Sequence, residues 1–450
     1  MNDKKMSLSF IVALGFMLFA LFFGAGNLIF PPMLGQSAGS NIWAANAGFI
    51  VTGVGLPLLG VLALGFSGKG DLQSLASRVH PIYGVIFTVA LYLSIGPLFA
   101  IPRTATVSYE IGIRPFVPEG SGMIALLAFS AVFFAITIIF SLKSSKIVDI
   151  VGKVLTPALL VFIGILIVTA LFNPIGELQA PAETYVNDAF FKGFQEGYLT
   201  MDALAAFVFG IIIINFIKER GATTKKQIMV GTAKAAILAA FLLAIIYASL
   251  GYIGAKSVEG IGSLENGGAI LAAVSNHYFG SFGAVLLSLI VFGACLTTSI
   301  GLVTSCASYF NKLMPKISYN AFVYIVSIFS LVFANFGLTQ LISISVPVLV
   351  AIYPLAICLM FLTFLHPLFK GRKEVYQLSI LFTGVVAIFD GLNAAGISFT
   401  TVNDLFTSIL PLYTVGLGWI VPAIVGAVLG YVFSIVKKGS EEAAAIEKVS

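Results

Sequence analysis

The chain has 450 residues, of which 59% are hydrophobic and only 10% charged, with a mean hydropathy of +1.05. A soluble domain has about 25% charged and 45–50% apolar residues, so this composition excludes a soluble globular protein. Apolar runs near or above the ~18–20 residues that cross a bilayer recur along the whole chain, and they predict an all-α integral membrane protein.

Twelve apolar segments can be assigned as membrane spans. They cover residues 8–34, 40–66, 81–102, 121–142, 147–172, 197–217, 229–254, 280–310, 318–334, 340–365, 377–397 and 404–436. The assignment leaves 255–279 as a long outer loop. The third segment ends near two prolines and Arg103, and its helix can extend to about Gly112. The spans predict one transmembrane domain over 1–438, followed by a polar, disordered tail at 439–450.

The first span contains the irregular segment FFGAGNLIFPP, residues 22–32. A helix over 8–34 would be ~40 Å long, against a hydrocarbon core of ~30 Å, so it must tilt or break. Gly24 and Gly26 each weaken a helix by ~1 kcal/mol relative to Ala. The N–H groups that open a second half-helix would suit a carboxylate. Alternatively, the glycines allow close helix packing and the prolines end the helix.

The sixth span begins with GYLTMDALAAFVFG, residues 197–210, which includes Asp202. A carboxylate inside a membrane suggests a functional site, although it can also cap the start of a helix. At helical rise, Asp202 to Phe207 lie ~10–18 Å from the outer end of span 6, and GAGN lies ~10–15 Å from the outer end of span 1. Breaks at matching depth in spans 1 and 6 are what an inverted repeat of five spans predicts.

Span 8 contains three consecutive hydroxyl residues, Thr297, Thr298 and Ser299. Hydroxyl and carbonyl oxygens suit hard cations, but such hydroxyls also commonly bond back to the i−4 carbonyl of their own helix. Asp390 in span 11 lies beside Gly391 and Asn393, where a turn at the end of the helix is the simpler interpretation.

The distribution of Lys and Arg predicts the orientation, because cytoplasmic loops retain these residues. With the N-terminus inside, 20 of the 24 fall in inner segments. The four in outer segments are Arg103, Arg114, Lys192 and Lys256. This bias predicts that both termini are cytoplasmic and that the number of spans is even. The net charge of +5 therefore reflects topology and does not indicate a nucleic-acid partner.

Other classes of membrane protein fit less well. A channel would show rings of like charge or a repeated filter loop, and an intramembrane enzyme would show a motif such as H-E-x-x-H or G-x-S-x-G. The sequence contains neither, and its three histidines all lie at span ends. We therefore expect a transporter and not an enzyme.

Four segments resemble the branched-chain amino-acid:cation symporter (LIVCS) family of bacterial carriers, in the amino acid–polyamine–organocation superfamily. They are FFGAGNLIFPP, GPLFAIPRTATVSYE (96–110), GYLTMDALAA (197–206) and ACLTTSIGL (294–302). The resemblance implies a LeuT-like fold in the bacterial plasma membrane, with helices 1 and 6 broken. Its two inverted repeats would cover about 8–172 and 195–366, followed by two extra helices over about 377–436.

The resemblance also implies functional residues. Backbone N–H groups at the first break hold the substrate carboxylate in LeuT-like symporters, and the second break holds the amine and side chain. The matching substrate positions are Gly24, Ala25, Gly26, Asn27, Asp202, Ala205, Ala206 and Phe207. A sodium ion would lie between spans 1 and 8, at positions matching Ala20, Phe23, Ala294, Thr297 and Thr298.

Asp202 departs from the family pattern, where a hydroxyl residue often stands. Its carboxylate could bind a second cation with Asn27, pair with the substrate ammonium, or carry a proton. The implied function is sodium-coupled uptake of leucine, isoleucine and valine by alternating access. The alternative is a proton-coupled carrier of another neutral amino acid or small solute. The sequence assigns no oligomeric state.

Overall fold

The computed structural model describes residues 7–118, 120–142 and 146–447, and the side chains of 146–156 and 438–447 lie outside this description. All regular secondary structure in the described residues is helical. The helices are α1 Leu8–Phe22, α2 Ala25–Ala38, α3 Ile42–Ile50, α4 Leu56–Ser67, α5 Leu72–Ala76, α6 Pro81–Leu93, α7 Ala100–Gly112, α8 Gly122–Leu142, α9 Lys146–Phe172, α10 Ala189–Glu196, α11 Asp202–Glu219, α12 Lys225–Ile261, α13 Gly267–Leu313, α14 Tyr319–Ala334, α15 Leu338–Leu365, α16 Lys373–Ala394, α17 Thr400–Ile409 and α18 Ile420–Glu447.

Eight helical stretches in the described residues are long and apolar enough to cross a membrane, and the bent pair α10–α11 adds a ninth. Three shorter apolar helices cover Leu8–Phe22, Pro157–Phe172 and Tyr319–Ala334. Every predicted span thus has helical structure within it, and the all-α membrane fold is confirmed.

The structure differs from the predicted spans in three places. Span 3 does extend to Gly112, but it is interrupted between α6 and α7 by a π-turn with non-helical backbone at Gly96. The predicted outer loop 255–279 is mostly helical, since α12 extends to Ile261 and helix resumes at Gly267; non-helical backbone at Gly280 (φ 59°) separates this first part of α13 from span 8. Span 12 is not one helix over 404–436, since α17 ends at Ile409 and α18 begins only at Ile420.

The predicted disordered tail also differs from the structure. The backbone of α18 is helical as far as Glu447, and residues 448–450 lie outside the described part. The run EEAAAIE over 441–447 consists largely of good helix formers, in keeping with this helical backbone.

The helices form two compact units. The first comprises the described parts of Met1–Leu58, Tyr92–Ala205 and Lys234–Ser345, and the second those of Leu59–Leu91, Ala206–Ala233 and Val346–Ser450. Each unit takes segments from both predicted repeats. The repeat boundaries themselves stay a prediction.

In the first unit, α2 packs by direct backbone contact. A Cβ atom on Gly35 would lie 2.0 Å from the Gly251 carbonyl oxygen, and one on Gly254 would lie 2.1 Å from the Pro32 carbonyl oxygen. At the start of α13, a Cβ on Gly267 would lie 1.7 Å from the carbonyl oxygen of Ile29. Only glycine permits helices to approach this closely. These contacts fix α2 against α12 and the start of α13.

In the second unit, α16 and α18 pack closely. A Cβ on Gly426 would lie 2.4 Å from the Leu378 carbonyl oxygen. At one end of this unit, the Arg78 guanidinium donates to the Tyr376 hydroxyl at 3.2 Å and to the Ser67 carbonyl at 3.0 Å. Asp390 lies one turn before the end of α16 at Ala394, in keeping with its predicted place near a helix end.

Candidate functional site

The break in span 1 is stabilised by a side chain from its own sequence. Helix α1 ends at Phe22, and Gly24 adopts extended backbone angles (φ −118°, ψ −158°) before α2 begins. The Gly24 N–H would continue α1 by bonding to the Ala20 carbonyl, but it donates to Oδ1 of Asn27 at 2.9 Å. The Asn27 amide therefore ends one helix and leaves the Ala20 carbonyl without its usual donor.

The break in span 6 has a different construction. A 3₁₀ turn over 197–200 is followed by Met201 in the left-handed region (φ 63°), and α11 begins at Asp202. Left-handed backbone costs a side-chain-bearing residue about 1–2 kcal/mol. The contacts around this break must therefore offset the strain.

The two breaks touch each other in the first unit. A Cβ on Gly26 would lie 3.4 Å from the Thr200 carbonyl oxygen, an ordinary van der Waals distance, so the backbones of the two breaks are neighbours. The Asn27 amide donates to Oδ2 of Asp202 at 2.5 Å. The predicted pairing of the two irregular segments is therefore present in the structure, with Asn27 and Asp202 both buried.

A third residue completes this hydrogen-bond network. The hydroxyl of Tyr247, on α12, donates to Oδ2 of Asp202 at 2.9 Å and accepts a hydrogen bond from the Asn27 amide. Asp202 is the first residue of α11, so its charge also lies at the positive end of a helix dipole. The bonds to Asn27 and Tyr247 are thus compatible with a functional site at Asp202, and its position at the start of α11 is compatible with the helix-start interpretation.

The span 8 hydroxyls lie against the first break. The Thr297 and Thr298 hydroxyls both donate to the Ala294 carbonyl, at 2.8 and 3.1 Å, which is the back-bonding alternative. Each hydroxyl oxygen still has lone pairs to offer. A Cβ on Gly24 would lie 3.4 Å from Oγ1 of Thr298, so this hydroxyl is adjacent to the break.

The remaining predicted residues lie close to these groups along the chain. Phe23 is buried and its N–H makes the last helical bond of α1, to the Phe19 carbonyl at 2.7 Å. Ala205 is buried one turn after Asp202, and its N–H donates to the Met201 carbonyl at 3.0 Å. Ala206 and Phe207 are fully buried on the same helix but belong to the second unit.

Sequence reasoning missed two residues of this region. The charge distribution predicts an outer segment for Arg103, but it is buried in α7 and its guanidinium donates to the Leu199 carbonyl beside the second break, at 2.6 Å. Its segment GPLFAIPRTATVSYE carries a signal, because a cation inside an apolar span itself indicates a functional site. Tyr247 gave no such signal, because a tyrosine in an apolar helix usually serves packing alone.

Comparisons with known proteins find sequence relatives along almost the whole chain. The family model described as a branched-chain amino acid transport protein matches residues 7–437. The branched-chain amino acid permease BrnQ of Bacillus subtilis is 60% identical over 433 residues, covering 96% of this chain and 98% of that protein. BrnQ of Escherichia coli K12 is 42% identical over 423 residues, covering 94% of this chain and 95% of that protein.

Solved structures with a similar fold belong to a different sequence family. Mhp1 in an inward-facing conformation has a TM-score of 0.62 and 13% identity, covering 95% of this chain and 91% of that one. Mhp1 in a closed conformation with bromovinylhydantoin bound, described as a nucleobase-cation-symport-1 family transporter, has a TM-score of 0.61 and 14% identity. At these identities the likeness shows the fold alone, which is LeuT-like.

Proposed function

The chain belongs to the branched-chain amino acid transport family, a group of membrane carriers and not enzymes, and we propose that it is a sodium-coupled symporter of leucine, isoleucine and valine. It would work by alternating access in the bacterial plasma membrane. The observation that carries the proposal is the contact of three elements in the first unit: the span 1 break, the span 6 break and the hydroxyls of span 8.

The substrate's two charged groups would bind at the two breaks. The first N–H groups of α2, at Ala25, Gly26 and Asn27, have no helical partners and lie at the positive end of the helix dipole. They suit the carboxylate. The carboxylate of Asp202 and the carbonyls of the span 6 break suit the ammonium, because both offer only acceptors.

The aliphatic side chain would be recognised by apolar contacts with little hydrogen bonding, a role that the family resemblance assigns to Phe207. A pocket of this kind discriminates between substrates differing by one methylene by only ~1–3 kcal/mol. We therefore expect the three branched-chain amino acids to compete with one another.

The co-transported cation would bind where neutral oxygens gather. The Ala20 carbonyl is released from Gly24, and the Thr298 hydroxyl lies against the same break. Phe23, Ala294 and Thr297 would supply the remaining oxygens. Carbonyl and hydroxyl oxygens without net charge suit a monovalent hard cation. A second cation at Asn27 and Asp202 remains part of the proposal, although the Asn27 amide nitrogen there is a donor.

Uptake of radiolabelled leucine into proteoliposomes, under an imposed sodium gradient or proton gradient, tests the coupling. We expect the sodium gradient alone to drive accumulation. Uptake that ignores sodium and follows the proton gradient would instead support the proton-coupled alternative, with Asp202 as the proton carrier.

The ion site has a matched control on the same helix. In the Thr297→Ala, Thr298→Ala double variant, the sodium concentration for half-maximal uptake should rise by about tenfold or more, since each lost ligand costs on the order of 1 kcal/mol. Thr304 and Ser305 bond back to the Gly301 carbonyl with the same spacing. Their double alanine variant should leave this concentration unchanged. An equal response of both double variants would reject the assigned ion site.

A further inference from the structure

Span 3 is also interrupted, and its break places a charge inside the membrane domain. At Gly96 the backbone is non-helical (φ −100°, ψ −125°), and Pro97 follows with no N–H to donate. A Cβ on Gly96 would lie 2.7 Å from the Cys306 sulfur, so this break packs tightly against α13. Helix α7 then starts at Ala100, and Arg103 lies in its first turn.

This is an unfavourable position for a cation. The start of a helix carries partial positive charge, which repels an arginine there, and Arg103 is only 1% exposed. An ionised group in such a place persists only where other groups hold it. Its own sequence neighbours do not account for the position, so the reason lies in what the guanidinium contacts.

The guanidinium of Arg103 joins four spans. It donates to the Leu199 carbonyl of span 6 at 2.6 Å and to the Ser345 hydroxyl of span 10 at 3.2 Å. Its central carbon lies 4.9 Å from the centre of the Phe30 ring in α2. The residue of span 6 that it holds stands two positions before Met201, the strained residue of the break.

We propose that Arg103 is a positioning residue that holds the span 6 break in place and closes the predicted outer side of the binding site. This inference rests on the alternating-access part of the proposed function and not on sodium as the coupling ion. Leu199 and Phe30 lie on the predicted outer side of Asp202 and Asn27. The site can open to that side only if the bond from Arg103 to the Leu199 carbonyl breaks, so this bond favours the closed arrangement.

Access from the outer side can be measured with a cysteine reporter. The background replaces Cys295, Cys306 and Cys358, all buried, with alanine and introduces Thr200→Cys, at a buried position of the break. A membrane-impermeant thiol reagent is applied to right-side-out vesicles without sodium or leucine. Arg103→Ala should speed the labelling about tenfold, because a hydrogen bond to a charged group contributes at least a factor of ten to such an equilibrium.

Two further variants make the test decisive. Ser345→Ala removes one acceptor of the Arg103 guanidinium but keeps its hydrogen bond to the Leu199 carbonyl. This variant should speed labelling about threefold. Arg114→Ala removes an exposed arginine just beyond the end of α7 and should change nothing. If Arg103→Ala fails to fold, as judged by size-exclusion chromatography, the Ser345→Ala result decides. Unchanged labelling in the folded variants would overturn the proposal.

Uptake kinetics separate this role from a merely structural one. A carrier shifted toward the outward-open state should bind external leucine at equal or lower concentration while its maximal rate falls. General damage to the site would raise the half-saturating concentration instead, and that result would count against the proposal. Labelling without sodium does not depend on the coupling ion, so a failure of the sodium hypothesis would leave this measurement intact.

Discussion

The breaks in spans 1 and 6 are neighbours in the first unit, but different contacts stabilise each of them. The span 1 break uses residues from its own segment: Gly24 supplies extended backbone, and the Asn27 side chain caps it. The span 6 break has no glycine at its turning point. Met201 takes a left-handed conformation there, and Arg103 of another span donates a hydrogen bond to the carbonyl of Leu199, two residues earlier.

The difference shows that the span 1 break is capped from within its own segment, whereas the span 6 break combines a local bond, from the Asp202 N–H to the Thr200 hydroxyl at 3.3 Å, with a bond imposed by another span. A locally encoded break keeps its shape when the rest of the protein moves, because its stabilising group moves with it. An imposed break can change shape when its distant partners move away. The second kind therefore suits the part of a carrier that must respond to a change of conformation.

The largest expected effect comes from the residue that joins the two breaks. Asp202→Asn keeps the shape of the side chain but removes the charge that Asn27 and Tyr247 hold. Because hydrogen bonds to charged groups contribute ~1.5–3 kcal/mol each, the initial rate of leucine uptake should fall at least about 100-fold. Asp188→Asn, in an exposed loop position, serves as the control. A comparable loss in both variants would show that Asp202 has no special role.

A second prediction tests whether the span 1 break is locally encoded. Asn27→Ala removes both the acceptor of the Gly24 N–H and a donor to Asp202, so uptake should fall about 30-fold. Asn27→Asp keeps the acceptor but faces Asp202 with a like charge, and should be at least as harmful. Asn46→Ala, which removes a buried amide that bonds to the Ala248 carbonyl, is the control. Near-normal uptake with Asn27→Ala would contradict the view that the Asn27 side chain stabilises the span 1 break.

A third prediction concerns the partner of Asp202 on α12. Tyr247→Phe deletes a single hydroxyl and should raise the half-saturating leucine concentration about tenfold, since the buried carboxylate loses one donor. Tyr252→Phe on the same helix, whose ring stacks on Trp43, should leave it unchanged. The measurement is leucine uptake over a range of concentrations. Equal values for the two variants would remove Tyr247 from the site.

The smallest expected effect is a difference in stability between two variants of Met201, which reports the backbone strain of the span 6 break. Both Met201→Ala and Met201→Gly lose the same buried side chain, which is 3% exposed. Only glycine also relieves the left-handed backbone, so the glycine variant should be more stable by about 1 kcal/mol. Thermal unfolding in detergent gives the comparison. Greater stability of the alanine variant, the usual order within helices, would mean that the break is not strained.

The sequence predicts those features that depend on local composition. Apolar runs marked the spans, and Gly24, Gly26 and Asn27 marked a break that is present in the structure. Asp202 was notable because a carboxylate is costly in a membrane. The contact between Asn27 and Asp202 follows from the matching depth of the two segments.

Features that arise from tertiary contacts were not predicted. Nothing in the chemistry of Met201 indicates a left-handed residue, since the surrounding contacts impose that conformation. Arg103 stands near two prolines and so resembled the end of a span, although it lies in a helix that starts anew after a break. The division of span 12 does have a local signal, because Pro411 disfavours helix at Leu410 and Gly416 takes the left-handed region (φ 74°).

The glycine contacts around α2 have a mechanical consequence. Backbone meets backbone where Gly35, Gly254 and Gly267 pack, and such surfaces have no side chains that could change rotamer to allow sliding. Helix α1 differs, because the atoms nearest to a Cβ on Gly15 would be side-chain atoms of Leu238. We therefore expect a conformational change at the span 1 break to displace α1 more than α2.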